Sequence, residues 1–316
     1  MIEAITKEYT VTRLDKNNLM DLARLHAEVY DLPVNEDLFY KKYDTAYTGI
    51  RDIGFIAYNQ DQVPVAYYGV IPCFLKYGDD LMLSAQSADT MTHPQYRYKG
   101  MFVELSKMTF ELCIQSGIKL VFGFPNQNSY HGAVNKLGWQ LMHRMDCFII
   151  NVNSLPLEKV SLKAGFLGNI YKSYTSALLK SYLTGLKGIE NSALSEGFGG
   201  VHRSTGYLNN RTYNETKVIS IDDVNIWIHT RQGLAIGDLE GVNETNFNKV
   251  ITGLKRMAFL LGKRQLQFHI SPGTNLHALF ASAYPTSPSF HALYQDFGSS
   301  IPPEKLRFTF ADIDIF

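Results

Sequence analysis

The chain has 316 residues, about the length of two ordinary domains. Its 30 basic residues balance its 30 acidic ones, so no cationic excess points to a nucleic-acid partner. With 45% apolar and 19% charged residues it has the profile of a chain with a sizeable core, which excludes disordered and fibrous classes.

Met1 to Thr12 carries Glu3, Lys7 and Glu8 and no apolar run, so it does not read as a signal peptide. No stretch reaches the ~18 uninterrupted apolar residues of a spanning helix, and no stable membrane insertion is expected. Tyr9 to Leu14 reads as a strand. Asp15 follows as an N-cap for an amphipathic helix reaching Val29, with Leu19, Leu22, Leu25 and Val29 on one face. A second helix is predicted over Asn35 to Tyr43. Ile53 to Tyr58, the polar turn Asn59 to Gln62, and Val63 to Leu75 predict a hairpin. The turn at Tyr77 to Asp80 leads into a strand from Leu81 to Thr92. Cys73, Cys113 and Cys147 are widely spaced and form no metal-type cluster. They predict reduced core thiols in a cytoplasmic protein, with no metal site.

Pro94 to Lys99 is a polar turn, and Gly100 opens a helix with Met101, Phe102, Leu105, Met108 and Leu112 on its apolar face. Gly117 ends that helix in the left-handed position that suits glycine. Ile118 to Phe124 predicts a strand, Asn126 to Leu137 a helix stopped by Gly138, and Trp139 to Val152 a returning strand. Leu162 to Leu186 reads as helical. Lys159, Lys163, Lys172, Lys180 and Lys187 mark either a connecting helix with a solvated face or a membrane-surface helix. Asn191 to Asn214, rich in Gly, Ser and Asn, reads as a long loop.

A weak internal repeat follows. At an offset of 170 the hairpin Gly54 to Tyr68 falls on Val224 to Asp238, itself strand, turn and strand. A helix capped by Thr245 then runs to Leu261. The strands Gln265 to Ile270 and Leu306 to Phe316 close the chain. Two related α+β halves, each with a mixed sheet, account for this order; chance similarity is the alternative.

The chemistry concentrates in Arg97-Tyr98-Lys99-Gly100-Met101-Phe102, which has the form Arg-x-x-Gly-x-small except at Phe102. A strand precedes it and a helix begins inside it. The first turn of a helix leaves backbone N–H groups without partners, and with the helix dipole they suit phosphate oxygens. An ordinary Gly-initiated helix would show the same local pattern.

His93 to Phe102, followed by Phe122-Gly123-Phe124-Pro125-Asn126-Gln127-Asn128 and Lys136-Leu137-Gly138-Trp139, resembles the acyl-CoA-binding region of the GNAT superfamily of N-acyltransferases. The resemblance covers Tyr9 to Val152. It implies a GNAT domain over residues 1–152, a helical connector and loop over 153–205, and a degenerate GNAT-like domain over 206–316. It also implies acetyl-CoA as co-substrate, with its pyrophosphate on the amides of Tyr98, Lys99, Gly100, Met101 and Phe102 beside Arg97. The pantetheine arm would run along Ala88 to Met91, and Asn126 and Asn128 would lie near the thioester or at the start of the next helix. Transfer would occur by direct attack of an amine, with the protein supplying position, a proton route and oxyanion donors.

Many members of the family carry a Tyr where this chain has Val134, so Tyr130, one helical turn earlier, is the candidate proton donor. Asp89 is the candidate base, with His93 and His131 as further titratable groups. Tyr40, Lys41, Lys42 and Tyr43 form a candidate acceptor segment, with Tyr40 and Tyr43 as its contacts. The C-terminal Phe316 is a further candidate through its carboxylate. The expected partner is a small-molecule amine, such as an amino sugar or amino acid. A non-catalytic acyl-CoA sensor and an aminoacyl-tRNA-dependent peptidyl transferase are the alternatives.

Overall fold

Alternation along Ile53–Asn59 and Pro64–Tyr77 sorts side chains onto two faces of a sheet, and each face meets its own helices. The computed structural model describes residues 9–155, 165–231 and 233–316, and Lys159 and Lys163 lie outside these. The chain divides into two compact units. The first comprises residues up to Leu75, Asp80–Met142 and Ala292–Pro302; the second comprises Lys76–Asp79, His143–His291 and Pro303–Phe316.

In the first unit the strand order is β1 (Tyr9–Arg13), β2 (Ile53–Asn59), β3 (Pro64–Tyr77), β4 (Asp80–Thr92) and β5 (Leu120–Gly123). The β1–β2 and β2–β3 pairs are antiparallel, whereas β4 and β5 run parallel. Beyond β5 lies the late segment Ala292–Asp296 of β12 (Thr286–Asp296), antiparallel, with Leu293 opposite Gly123 and Asp296 opposite Leu120.

Helices α1 (Leu19–Tyr30) and α2 (Glu36–Tyr43) place Leu22, Leu25, Phe39 and Tyr43 on one face, against Ile56, Tyr67, Ile71, Ala88 and Met91. Helix α3 (Met101–Gln115) puts Met101, Leu105 and Phe110 on the other, against Ala57, Ala66, Tyr68 and Ala85. Helix α4 (Gln127–Leu137) adds Ala133 and Val134 to the same layer. The start of α1 differs from expectation: Asn18, not Asp15, is its N-cap, and the Asn18 side chain accepts from the Asp15 amide at 2.8 Å.

The second unit has the strand order β6 (Gln140–Asn151), β11 (Gln265–Ile270), β10 (Leu234–Glu240), β9 (Val224–His229) and β8 (Thr216–Ile221). Its core packs helix α8 (Phe247–Leu260) on Ile226, Ile228, Ile236, Leu266 and Phe268. Here β10 and β11 are the parallel pair, so strand, helix, parallel strand and helix recur as β10, α8, β11 and α9 (Asn275–Ala283). From Met101 to Phe247 the separation is 247 − 101 = 146 residues, and from Leu120 to Gln265 it is 265 − 120 = 145. The topological correspondence is therefore about one strand out of register with the offset of 170 in the sequence.

The boundaries expected at 152 and 205 do not coincide with the units. The connector helix α5 (Gly165–Lys180) belongs to the second unit, where the Tyr171 and Tyr174 hydroxyls donate to the Leu261 and Leu260 carbonyls at 2.7 and 2.9 Å. Asn191 to Asn214 is not one loop. It holds the short helices α6 (Ser192–Ser195) and α7 (Thr205–Asn210) and the strand β7 (Gly200–Val201). Leu306 to Phe316 is not a strand either: Phe310–Asp312 is a 3-10 turn closed by a reciprocal Thr309–Asp312 capping box. Asn246, rather than Thr245, caps α8.

Burial in the second unit holds His143, His229 and His269 down at about 4. An unfolded histidine binds its proton near 6.5, so between these values the unfolded chain holds more protons. The stability these neutral rings confer is complete above pH 6.5 and is lost as pH falls toward 4. In a Trp139→Phe protein, Trp227 of the second unit alone reports unfolding by fluorescence. Its denaturation midpoint is expected to be lower at pH 5 than at pH 7.5, and a His269→Phe background should reduce that difference without abolishing it, since His143 and His229 remain. A second expectation concerns β12. A chain stopped at residue 152 lacks the strand beside fully buried β5, and lacks Phe297, which packs 5.7 Å from Phe110. It should show no cooperative unfolding transition and should aggregate, as an uncovered apolar edge does.

Candidate active site

The parallel pairing of β4 and β5 is brief: Ala85, Gln86 and Ser87 lie opposite Val121, Phe122 and Gly123. β5 then ends, while β4 continues to Thr92. Two residues further along, Asp89 takes φ 52, in the left-handed region that a non-glycine residue rarely adopts. Among the described residues, the edge of Ala88–Thr92 that faces away from β3 has no strand partner. A parallel ladder that stops while one strand runs on leaves backbone groups able to pair with an extended ligand.

The chain leaves β4 through His93, whose ring accepts from the Gln95 amide, and a 3-10 turn at Pro94–Tyr96. Asn59 holds Tyr96 by its hydroxyl at 3.0 Å, and the Lys99 ammonium sits 5.3 Å from the Tyr96 ring centre. Arg97 is extended, with Nε donating to the Thr92 carbonyl at 3.4 Å. Tyr98 takes φ 67 and Gly100 φ 84, so two left-handed residues bend the chain into α3 within four positions. The Gly100 carbonyl accepts from the Val103 and Glu104 amides at 3.0 and 3.2 Å. The amides of Tyr98, Gly100, Met101 and Phe102 meet no acceptor among the described residues. The Glu104 carboxylate is engaged by the Tyr9 hydroxyl, which burial and that carboxylate push up to about 12.

Phe102, the departure from a small residue, is accommodated by α4. It meets Tyr68 edge-on at 6.0 Å, and a Cβ at Gly132 would come within 2.9 Å of its ring. Gly132 thus supplies the space that the motif lacks at 102. Tyr68 in turn accepts from Ser87 Oγ at 3.1 Å, which ties this aromatic pair to the last paired residue of β4.

Asn126 is the N-cap of α4. Its Oδ1 accepts from the Asn128 and Ser129 amides at 2.9 and 3.1 Å, so this oxygen caps the helix and Asn128 occupies the exposed first turn. Tyr130 is half-buried at the rim of the α3-side core, 5.8 Å from the His131 ring, and Val134 packs in the same layer one turn later. Met91 is buried toward α1 and α2.

Asp89 is not open to solvent. Its Oδ1 accepts from Lys42 Nζ at 2.8 Å and its Oδ2 from the Tyr43 hydroxyl at 3.0 Å. Both oxygens of the carboxylate that the sequence offers as a base are thus engaged by α2. Tyr43 is a core residue, its hydroxyl pushed well up by burial and then by Asp89. Tyr40 is exposed, with its hydroxyl donating to the Lys16 carbonyl at 3.3 Å. Sequence places Lys42 only within an acceptor segment, and nothing in its spacing signals a partner 47 positions away.

Phe316 belongs to the second unit. Its ring packs edge-on against Trp227 at 5.7 Å and 5.3 Å from Phe310, and a Cβ at Gly237 would overlap it. Asn214 donates to the Asp314 carbonyl at 3.1 Å and also to the Phe316 carbonyl. The terminal ring is therefore a core contact of the second unit.

The corresponding turns of the second unit are closed by its own side chains. Before α8, Asn243 Oδ1 accepts from the Thr245 and Asn246 amides at 2.9 and 3.3 Å, and Asn246 Oδ1 accepts from the Asn243 amide at 2.8 Å. Before α9, the Glu196 carboxylate accepts from the Asn275 and Leu276 amides at 2.6 and 3.3 Å. No group of three or more metal-ligating side chains occurs among the described residues.

Residues 10–142 match the sequence profile described as an acetyltransferase (GNAT) domain. No curated protein matches the chain. Solved structures of similar fold include a GCN5-related N-acetyltransferase from Kribbella flavida, at 12% identity and TM-score 0.57, covering 92% of this chain and 71% of that one. A conserved Enterococcus faecalis protein described as a probable N-acyltransferase aligns at 11% identity and TM-score 0.60, covering 92% of this chain and 73% of that one. N-myristoyltransferase of Saccharomyces cerevisiae with bound myristoyl-CoA aligns at 12% identity and TM-score 0.55, covering 94% and 84%. The splayed β4–β5 pair and the open turn before α3 lie within the profile-matched segment, and the chain therefore carries a GNAT-type acetyltransferase domain over residues 10–142.

Proposed function

We propose that this protein transfers an acetyl or other short acyl group from CoA to the primary amine of a small molecule, by direct attack on the thioester. The observation that carries the reading is the turn Tyr98–Phe102, in which four amides at the start of α3, next to Arg97 in the chain, meet no acceptor among the described residues. Such amides, with the helix dipole, bind diphosphate oxygens without rearrangement. The pantetheine arm, an extended amide chain, matches the unpaired edge of Ala88–Thr92. The second unit's closed turns favour a single CoA site, in the first unit.

The residues assigned to the chemistry are few. Arg97, Tyr98, Lys99, Gly100, Met101 and Phe102 hold the diphosphate, and the backbone of Ala88 to Met91 holds the arm. Tyr130, at the rim of α4, is the donor to the leaving thiolate. The protein orients the amine and excludes water, and the direct attack calls for no metal. No helix among the described residues is long and apolar enough to cross a membrane, and the three cysteines are buried and outside any disulfide. Both facts suit a cytoplasmic enzyme.

Acetyl-CoA at a hundredfold excess over its Kd should stabilise the protein by about 2.7 kcal/mol, read as a rise in melting temperature. Thiol release should then appear with some members of an amine panel. A Cβ at Gly100 would meet no atom within 4 Å, so Gly100→Glu adds bulk and negative charge in open space. That variant should abolish the acetyl-CoA shift while the circular dichroism spectrum stays native. Gly100→Ala carries the same φ strain without the charge and serves as the control. Unchanged acetyl-CoA affinity in Gly100→Glu would remove the diphosphate site from this turn.

A further inference from the structure

The Lys42–Asp89 pair is nearly sealed, with side chains only 6% and 12% exposed. An ion pair so buried loses the hydration of both charges, and apolar residues of similar volume often hold a fold equally well. Asp89 also takes φ 52 inside β4, a left-handed conformation foreign to ordinary strand geometry. Two costs coincide at the residue after which the thioester arm would leave the β4–β5 ladder. Strain of this kind persists only where surrounding structure over-determines it.

Here the determining contacts come from α2. Lys42 and Tyr43 are consecutive, and each engages one oxygen of Asp89. Tyr43 stacks on Phe39 at 6.3 Å and meets the Tyr67 ring edge-on at 6.0 Å. Tyr67 is itself seated over paired glycines, since a Cβ on either Gly54 or Gly69 would collide with its hydroxyl. His26, half-buried 5.2 Å from Phe39, completes the titratable groups around Asp89. The left-handed kink of β4 is thus pinned, through one carboxylate, to a helix docked on the opposite face of the sheet from α3.

We propose that Asp89 is a positioning residue, acting with Lys42 and Tyr43 as a latch that fixes the kink of β4 and so the orientation of the thioester relative to the incoming amine. This inference rests on the acyl-transfer reading above. The latch lies on β4 and α2, whereas the diphosphate turn lies past Thr92, so the two should separate experimentally. Breaking the latch should leave the anchoring of CoA intact and misplace the reacting end, where an error of about 1 Å can cost roughly a hundredfold in rate.

The test compares Asp89→Asn, Lys42→Met, their double variant, Tyr43→Phe and Lys42→Arg in the full chain. Each is assayed for CoA binding, for kcat and KM with acetyl-CoA and the best amine, and for the pH profile of kcat. The expected result is kcat lowered about a hundredfold in both single variants, with KM for acetyl-CoA and affinity for CoA within about threefold of wild type. The double variant should be no worse than either single one, because the two residues act as a unit. Lys42→Arg should restore most of the rate, and the pH profile should keep its shape in every variant. Tyr43→Phe removes only one hydrogen bond. It keeps the test informative if a charge variant fails to fold, and it too should lower kcat with KM for acetyl-CoA unchanged. Wild-type kcat in Lys42→Met or Tyr43→Phe would overturn the latch, as would loss of the acid limb of the pH profile in Asp89→Asn alone, which marks a base. Wild-type protein that binds no acyl-CoA would instead overturn the acyl-transfer reading itself.

Discussion

The start of α3 depends on main-chain donors left unmet at one bend. Backbone N–H groups rarely stay unpaired in a folded interior, because burying them without a partner costs a lost hydrogen bond. The bend at Tyr98 to Gly100 avoids that cost by staying at the surface: Tyr98 is fully exposed and Gly100 has open space where a Cβ would be. The second unit shows the other solution to the same problem. Its strand–helix–strand order is similar, yet Asn243 and Glu196 oxygens accept from amides at the starts of α8 and α9. A helix start capped this way gains stability and loses the site.

Strain is distributed to match. Among the non-glycine residues of positive φ, Asp89 and Tyr98 both flank the exit of β4. The others in the first unit, such as Asp31 and Gln62, sit at a helix C-cap and a hairpin turn, where left-handed residues are ordinary. A turn explains those, but no turn explains Asp89, which interrupts a strand of 13 residues. The kink lies two residues past Ser87, where pairing with β5 stops because β5 ends at Gly123.

Much of the first unit is legible in the sequence because its signals are local. Alternation marks β2 to β4, Asn35 caps α2 as its position suggests, and Gly117 and Gly138 take the left-handed positions expected after helices. What local pattern misses depends on distant partners. The alternation of Leu306 to Phe316 has a strand's period, yet these residues turn, because Arg203 binds Asp312 at 2.9 Å and Arg211 takes the Ala311 and Ile313 carbonyls at 3.0 and 2.7 Å. β12 is hidden because Pro285 and Pro288 flank or interrupt its start, a pattern that reads as loop. The repeat shows in the wrong register since neighbouring hairpin strands share one period, and sliding by a strand preserves the pattern. In the site, the Arg-x-x-Gly turn is visible and the carboxylate's true neighbours are not, since Lys42 and Asp89 meet only once α2 docks.

The fate of Phe316 shows how the second unit uses its polar groups. Arg203 is fully buried between Asp238 and Asp312, at 2.7 and 2.9 Å. Burial raises the Asp312 carboxyl, and the guanidinium opposes that rise. Such a triad adds little net stability but is severe on any alternative arrangement, since moving one member leaves a buried charge uncompensated. It therefore selects one path for the last eight residues, a path that Arg211 and Asn214 continue to the terminal ring beside Trp227. Gly237 completes the selection, because any side chain there would displace that ring. The second unit thus turns its charged groups inward, to define its own chain end, and closes the turns before α8 and α9 with its own side chains. In the first unit the amides at the start of α3 meet no such acceptor among the described residues.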